Sequence, residues 1–163
     1  MTLVLVRVDC RLIHGQIIEA WVPFTRADCL VVANDDAAED MLQRSIMEMA
    51  VPPTVEVHIQ DVSAATDDLA RGRWSDKRII LLFANCRDAL CSYRAGLKYE
   101  RLNLGNLVCS PGKKQVTCAL SLDQSDVASL REIQKYGVQV EARQVPLDGS
   151  KNLNEIIGIG QYG

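Results

Sequence analysis

Apolar residues fall along this chain in short blocks of two kinds, and the two kinds alternate. Leu3 to Val8, Cys29 to Ala33 and Ile79 to Phe83 are near-continuous apolar runs, the pattern of strands that helices cover on both faces in a parallel sheet. Val55-Val57-Ile59, Val116-Cys118-Leu120-Leu122 and Val138-Val140 alternate with polar residues, as strands nearer a sheet edge do. Leu102 and Leu104 predict one more short strand, and the last strand reaches Pro146. Between these runs the spacing is helical. Ile17, Ile18 and Trp21 mark a short helix that Pro23 ends; Ala38, Met41, Leu42, Ile46 and Met49 continue until Pro52 and Pro53. Val62, Ala65 and Leu69 form a stripe closed by Gly72, and Ala89, Leu90 and Tyr93 another. Asp123 is placed to cap a helix through Val127, Leu130 and Ile133 that ends at Gly137.

This order predicts one α/β domain over residues 1–163, an open, mostly parallel sheet of about seven strands with helices on both faces. The domain ends in a tail from about 150 to 163, of which Gly158 to Gly163 reads as flexible. Strand 1, apolar on both faces, is expected at the centre. In open α/β sheets the ligand crevice lies beyond the carboxyl ends of the central strands, which for strand 1 is the segment Asp9 to His14.

Composition narrows the function classes. A chain of 163 residues that is 48% apolar and 24% charged can bury a core without staples. Its net charge of −3 gives no general attraction to nucleic acid or acidic membranes, so neither is expected as a partner. The cysteines (10, 29, 86, 91, 109 and 118) never fall at C-x-x-C spacing, and only two histidines stand beside them; mostly buried, reduced thiols of a cytoplasmic protein fit better than a zinc site or a disulfide scaffold. The apolar N-terminal stretch is too short for a signal peptide, and no run approaches the roughly 18 residues of a membrane span.

The densest chemistry is Arg7-Val8-Asp9-Cys10-Arg11-Leu12-Ile13-His14-Gly15-Gln16. A neutral imidazole nitrogen is a good nucleophile toward phosphorus, and histidine is substantially neutral near pH 7. A helix beginning near His14 offers free N–H groups and its positive dipole end to an anion. Gly15 lets that backbone approach a phosphate, and Arg11 can present a planar fork to its oxygens. A plainer account is also open, in which Asp9 and Arg11 form an ordinary strand-end ion pair and His14 is simply a helix N-terminal residue.

The same ten residues resemble, at nine positions of ten, the signature around the phosphorylated histidine of enzyme IIB subunits of the mannose/fructose/sorbose family of sugar phosphotransferase systems. Cys10 stands where that family usually has an acidic or small polar residue. The likeness continues at Trp21, Asn34-Asp35, Met49-Ala50 with Pro52, Leu102-Asn103-Leu104-Gly105-Asn106 and Gly137 to Pro146. It implies a cytoplasmic phosphocarrier that uses no cofactor. A IIA phosphohistidine would hand its phosphoryl group to His14, and His14 would pass it to a sugar held by the membrane components IIC and IID. Arg11, Gly15 and Gln16 would form the phosphate-binding loop, with Asp9, Asn34 and Asp35 as supporting or rim residues. A homo-oligomer is compatible with this reading. A regulatory phosphohistidine acceptor not coupled to sugar uptake, or a non-catalytic anion-binding α/β domain, are the alternatives.

Three other motifs carry less. Asn34-Asp35-Asp36 with Glu39 and Asp40 has the look of a metal cluster but fits a capped, acidic first helical turn, so no metal is expected; Asp35 is a candidate to orient a ring nitrogen of His14. Gly158-x-Gly160-x-x-Gly163 has the letters of a dinucleotide loop, without a following helix to receive a pyrophosphate. Ser110-Pro111-Gly112-Lys113-Lys114 reads as a turn, and His58 lies in an edge-like strand away from the chemistry.

Overall fold

The structure, a computed structural model, describes residues 1–108 and 111–160, without the side chains of 159 and 160. Seven strands form one sheet: β1 (Thr2–Val8), β2 (Cys29–Ala33), β3 (Glu56–Gln60), β4 (Arg78–Phe83), β5 (Arg101–Leu104), β8 (Gln139–Ala142) and β9 (Lys151–Asn152). Their order is β3-β2-β4-β1-β5-β8-β9, parallel throughout except for the β8–β9 pair. β1 is therefore the middle strand, as its two apolar faces require. Its neighbours β4 and β5 are consecutive in the chain and lie on opposite sides of it. That reversal is the point where crevices form in such sheets.

Helices cover both faces. After β1 a helix is wound as a wide π-turn over Ile17–Trp21 and finishes in α1 (Val22–Thr25); after β2 come α2 (Asp35–Glu39) and α3 (Met41–Ala50). These share one face, where Leu12, Ile13, Ile17, Trp21, Ala37 and Met47 pack on Leu30, Val32, Ile80 and Leu82. α4 (Val62–Ala70), α5 (Cys86–Arg94), α6 (Gln124–Lys135) and α7 (Leu153–Gly160) cover the other, against Val6, Val8, Val31, Leu81 and Phe83. Side chains alternate across each strand, so the near-continuous runs of β1, β2 and β4 feed two cores at once. The caps are local and follow the sequence. Asn34, Asp40, Asp61, Asn85 and Asp123 each accept a backbone N–H near their helix start, and Asp123 and Asp126 close a reciprocal capping box.

Three expectations need correction. Val116–Leu122 does not form a sheet strand: β6 (Lys114–Gln115) and β7 (Ser121–Leu122) pair as a small antiparallel hairpin around residues 116–120, leaving the seventh place in the sheet to β9. The alternation arose because Val116, Leu120 and Leu122 are buried from a folded loop. Gly158 to Gly160 are not a flexible end but the last residues of α7 (Leu153–Gly160). Leu153, Ile156 and Ile157 of α7 are buried in the main core, a period too short to stand out beside three glycines. The last members of the Gly158 motif, residues 161–163, lie outside the described residues, as do Cys109 and Ser110. Finally, the cysteines are mixed. Cys29 and Cys86 are buried free thiols, Cys91 and Cys118 are exposed ones, and Cys10 is disulfide-bonded.

Candidate functional site

The loop after β1 is held on both sides by the sheet's own hydrogen-bonding. Asp9 N–H donates to Phe83 O at the end of β4 (2.8 Å), and Cys10 N–H donates to Asn106 O beyond β5 (2.8 Å). The loop then turns back, with Leu12 N–H on Asp9 O (3.0 Å) and Leu12 in the left-handed region at φ 58°. A leucine there costs about 1–2 kcal/mol. Its side chain is buried with Ile13 in the core under the helix, and that burial holds the turn in place. The turn delivers His14 to the helix start, where its carbonyl accepts from Ile17 N–H (3.0 Å) and Ile18 N–H (3.2 Å).

Asp9 organises the site. Its Oδ2 lies 3.0 Å from His14 Nε2 and accepts from Arg7 Nε (3.1 Å) and Asn106 Nδ2 (3.0 Å), while Oδ1 accepts the backbone N–H of Arg11 (3.0 Å). Burial opposes charge on this carboxyl. The hydrogen bond from His14, the Arg7 guanidinium and the Arg11 N–H outweigh it and hold the group below the usual carboxylate range. An ionised carboxylate only accepts, so the neutral imidazole of His14 in this contact has its proton on Nε2 and its lone pair on Nδ1. Nδ1 is buried and bonds to nothing among the described residues.

Behind Asp9 stands a buried arginine. Arg7 has no solvent exposure, and desolvation lowers its pKa despite the carboxylate beside it. Its Nη1 donates to Asn103 Oδ1 (2.6 Å) and to Arg143 O (2.8 Å). Nη2 lies 3.0 Å from Asp9 Oδ2 as a charge contact without a hydrogen bond of its own. Arg7 and Asn103 are register partners on β1 and β5, and Asn103 Nδ2 reaches Glu141 Oε1 on β8 (3.3 Å), so one polar row crosses three strands. The Trp21 ring lies 5.5 Å from the Arg7 guanidinium, its Nε1–H on Gln144 O (2.9 Å). Gly105 is required by this arrangement, because a Cβ there would fall inside the Arg7 guanidinium.

The sequence-predicted residues are thus distributed unevenly. His14, Asp9, Gly15 and Gln16 come together: Gln16 Oε1 accepts from Asn106 Nδ2 (3.0 Å), and the space beside Gly15 is open. Arg11 contributes its backbone to Asp9 while its side chain is exposed, so the strand-end ion pair of Asp9 is made with Arg7 instead. Asn34 is spent on capping Ala37 N–H (2.9 Å), and Asp35 accepts Val62 N–H (2.9 Å). β4 lies between β2 and β1, and orienting His14 falls to Asp9, not Asp35. Residue-by-residue reading passed over Arg7, Asn103, Gly105, Asn106 and the Arg143 carbonyl as a set. The available signal was an arginine inside an apolar strand, which needs a buried partner. Cys29, Glu56 and His58 also approach one another within 4.8 Å, at the opposite edge of the sheet. There burial pushes the Cys29 thiol up to about 12, and Lys77 Nζ already holds Glu56 Oε1 at 2.7 Å.

A strand-end histidine with one nitrogen tied to a carboxylate, at a helix start beside an exposed arginine, is suited to carrying a phosphoryl group. Comparison with known proteins identifies the family of the whole chain. Residues 3–162 match the family described as PTS system sorbose subfamily IIB component. The chain is 35% identical over 153 residues to the sorbose-specific EIIB component of Klebsiella pneumoniae, covering 94% of this chain and 93% of that one. It is 29% identical over 157 residues to the mannose-specific EIIAB component of Escherichia coli K12, 96% of this chain but 49% of that longer one. The crystal structure of the IIBSor domain of the K. pneumoniae sorbose permease superposes with a TM-score of 0.93 at 34% identity, covering all of both chains. The chain belongs to the sorbose subfamily of IIB components, the phosphotransfer subunits of sugar phosphotransferase systems.

Proposed function

We propose that His14 accepts a phosphoryl group on Nδ1 from the phosphohistidine of a IIA protein and delivers it, at the cytoplasmic face of the membrane, to a sugar held by IIC and IID components. The observation that carries this is the Asp9–His14 contact, which occupies Nε2 and leaves Nδ1 as the nucleophile. In the first step the donor's N–P bond breaks as the Nδ1–P bond forms, and the electron pair stays on the donor ring. The Nε2 proton stays in place, and the Asp9 carboxylate stabilises the positive charge that develops on the His14 ring. Arg11 and the first N–H groups of the helix, at Gly15 and Gln16, face the equatorial oxygens, where a loose transition state concentrates its charge. Docking has to uncover Nδ1, because the His14 side chain is only 8% exposed. The sugar hydroxyl then attacks phosphorus, its proton passing to a base of the sugar-binding component, as the Nδ1–P bond breaks and its electron pair returns to Nδ1.

Incubation with phosphorylated IIA is expected to give a label that is lost in acid and survives base, as a phosphoramidate does. Imidazole nitrogen NMR should place the phosphorus on Nδ1. Phosphorus on Nε2, or no label, would refute the assignment.

Arg11 gives a second test. Its side chain is exposed and pairs with no described group, so Arg11→Ala should leave the melting temperature close to wild type while slowing single-turnover transfer roughly ten- to a thousandfold. Arg11→Lys should recover part of the rate, since it keeps the charge and loses the fork. Transfer at wild-type rate in Arg11→Ala would remove Arg11 from the site.

A further inference from the structure

Helix α3 is turned inside out. An apolar stripe at helical spacing ordinarily faces the core, yet Met41, Leu42, Ile46 and Met49 are 82%, 72%, 60% and 86% exposed. The face toward the molecule carries Gln43 and Arg44, both half-buried, with Arg44 Nη1 donating to Ala38 O (3.1 Å); within the helix only Met47 is buried. At 100° per residue the four exposed side chains, with Ser45 among them, fill one arc of about 140° that holds no charge. Scattered exposed apolar residues are ordinary, but a contiguous patch marks a contact surface, and methionine adapts its shape to apolar partners. Acidic residues flank this patch on two sides: Asp40 caps the helix start, with Asp36 and Glu39 on the preceding helix, and Glu48 lies along one edge, all exposed.

The patch also belongs to the site's side of the molecule. α3 begins just after β2 ends at the sheet's carboxyl edge, and Met47 shares its core with Leu12, Ile13 and Ile17 of the His14 loop and helix.

We propose that the outward face of α3 docks on the cytoplasmic surface of the integral membrane component that takes the phosphoryl group from His14, an inference that rests on the phosphocarrier reading. An apolar patch flanked by acids fits an apolar partner surface flanked by cations. Membrane proteins concentrate lysine and arginine in the short loops on their cytoplasmic side. A bare bilayer of anionic lipid would repel those acids. A second copy packed face to face would bring the two sets of acids together.

The test separates the two halves of the relay. Leu42→Glu with Ile46→Glu replaces two exposed residues, so the melting curve should stay near wild type. Labelling of His14 by phosphorylated IIA should remain within about twofold, since these residues lie outside the donor step. Sugar phosphate formation, measured with pre-phosphorylated protein and inverted vesicles carrying the membrane components, should fall about tenfold or more at limiting protein. Glu39→Lys with Glu48→Lys should weaken the second step at low salt and less so at high salt. An unchanged second step would overturn the proposal. So would an equal loss in both steps, which would assign the face to the donor, or a wild-type dimer that the Leu42/Ile46 variant dissociates, which would assign it to self-association. Failure of the wild-type protein to take up label would instead strike at the phosphocarrier reading beneath it.

Discussion

Replacing Asp9 by asparagine is expected to slow phosphorylation of His14 by about two to four orders of magnitude, the scale on which acid–base and orienting groups act. The substitution nearly conserves shape and removes the property that matters. The Asp9 carboxylate can only accept from Nε2 of His14, at 3.0 Å, which fixes the tautomer with Nδ1 free. An asparagine amide can donate to Nε2 instead, and the ring then carries its proton on Nδ1, where the phosphorus should bond. Imidazole nitrogen shifts should report the tautomer directly, and the rate loss should accompany a switch. His14→Ala sets the floor, with label at background, while His58→Ala should label normally because His58 sits on edge strand β3. If Asp9→Asn transferred at the wild-type rate, Asp9 would be structural only. The same carboxylate links stability to pH. Its folded pKa lies below its unfolded value, so its contribution is fully present above the unfolded value of about 3.9 and disappears as pH falls through the folded one. Acid lability of the wild-type fold should therefore have a component that Asp9→Asn removes.

Gly105→Ala is expected to be the most destabilising single methyl group that can be added near the site. The new Cβ would overlap Nη2, Cζ and Nε of Arg7. The guanidinium has no room to yield: it is fully buried and bound to Asp9, Asn103 and the Arg143 carbonyl. Displacing it breaks a buried ion pair and takes from each charge its counter-ion, a change that typically costs about 3–5 kcal/mol. For a domain of this size that corresponds to a melting temperature lower by roughly 6–20 °C. Phosphotransfer should fall with it, because Asp9 loses the group that holds it toward His14. The double variant Arg7→Ala with Gly105→Ala separates cause from coincidence. With the side chain gone the extra methyl has little to strike, so the double variant should be about as stable as Arg7→Ala alone, strongly non-additive. Full additivity, or a Gly105→Ala protein as stable as wild type, would show that Arg7 does not occupy that space.

The elements and the order of the site were legible in the sequence because they depend on neighbours in the chain. Near-continuous apolar runs marked β1, β2 and β4 as doubly covered, which in turn put β1 in the middle and its carboxyl end at the crevice. The loop Asp9–Gly15 and the helix after it were local features, and so were the caps at Asn34 and Asp123. Sequence spacing misled where apolar residues were buried by something other than a regular element. Val116 to Leu122 alternates inside a hairpin loop, and the α7 residues Leu153, Ile156 and Ile157 reach the core from what looked like a tail. The stripe of α3 had the right period and the opposite orientation, because a helix's period says nothing about which side of it the sheet lies on. What only the tertiary structure decided is the support behind His14. Arg7 and Asn103 are 96 positions apart in the chain and meet because β1 and β5 are paired in register; Asn106 and Asp9, 97 apart, meet for the same reason. Burial of an arginine beside an aspartate is stable only when several strands supply the remaining partners together. The sequence by itself determined that a histidine would stand at the end of the central strand. Packing across β1, β5 and β8 determined which of its nitrogens is held by Asp9 and which is left without a partner.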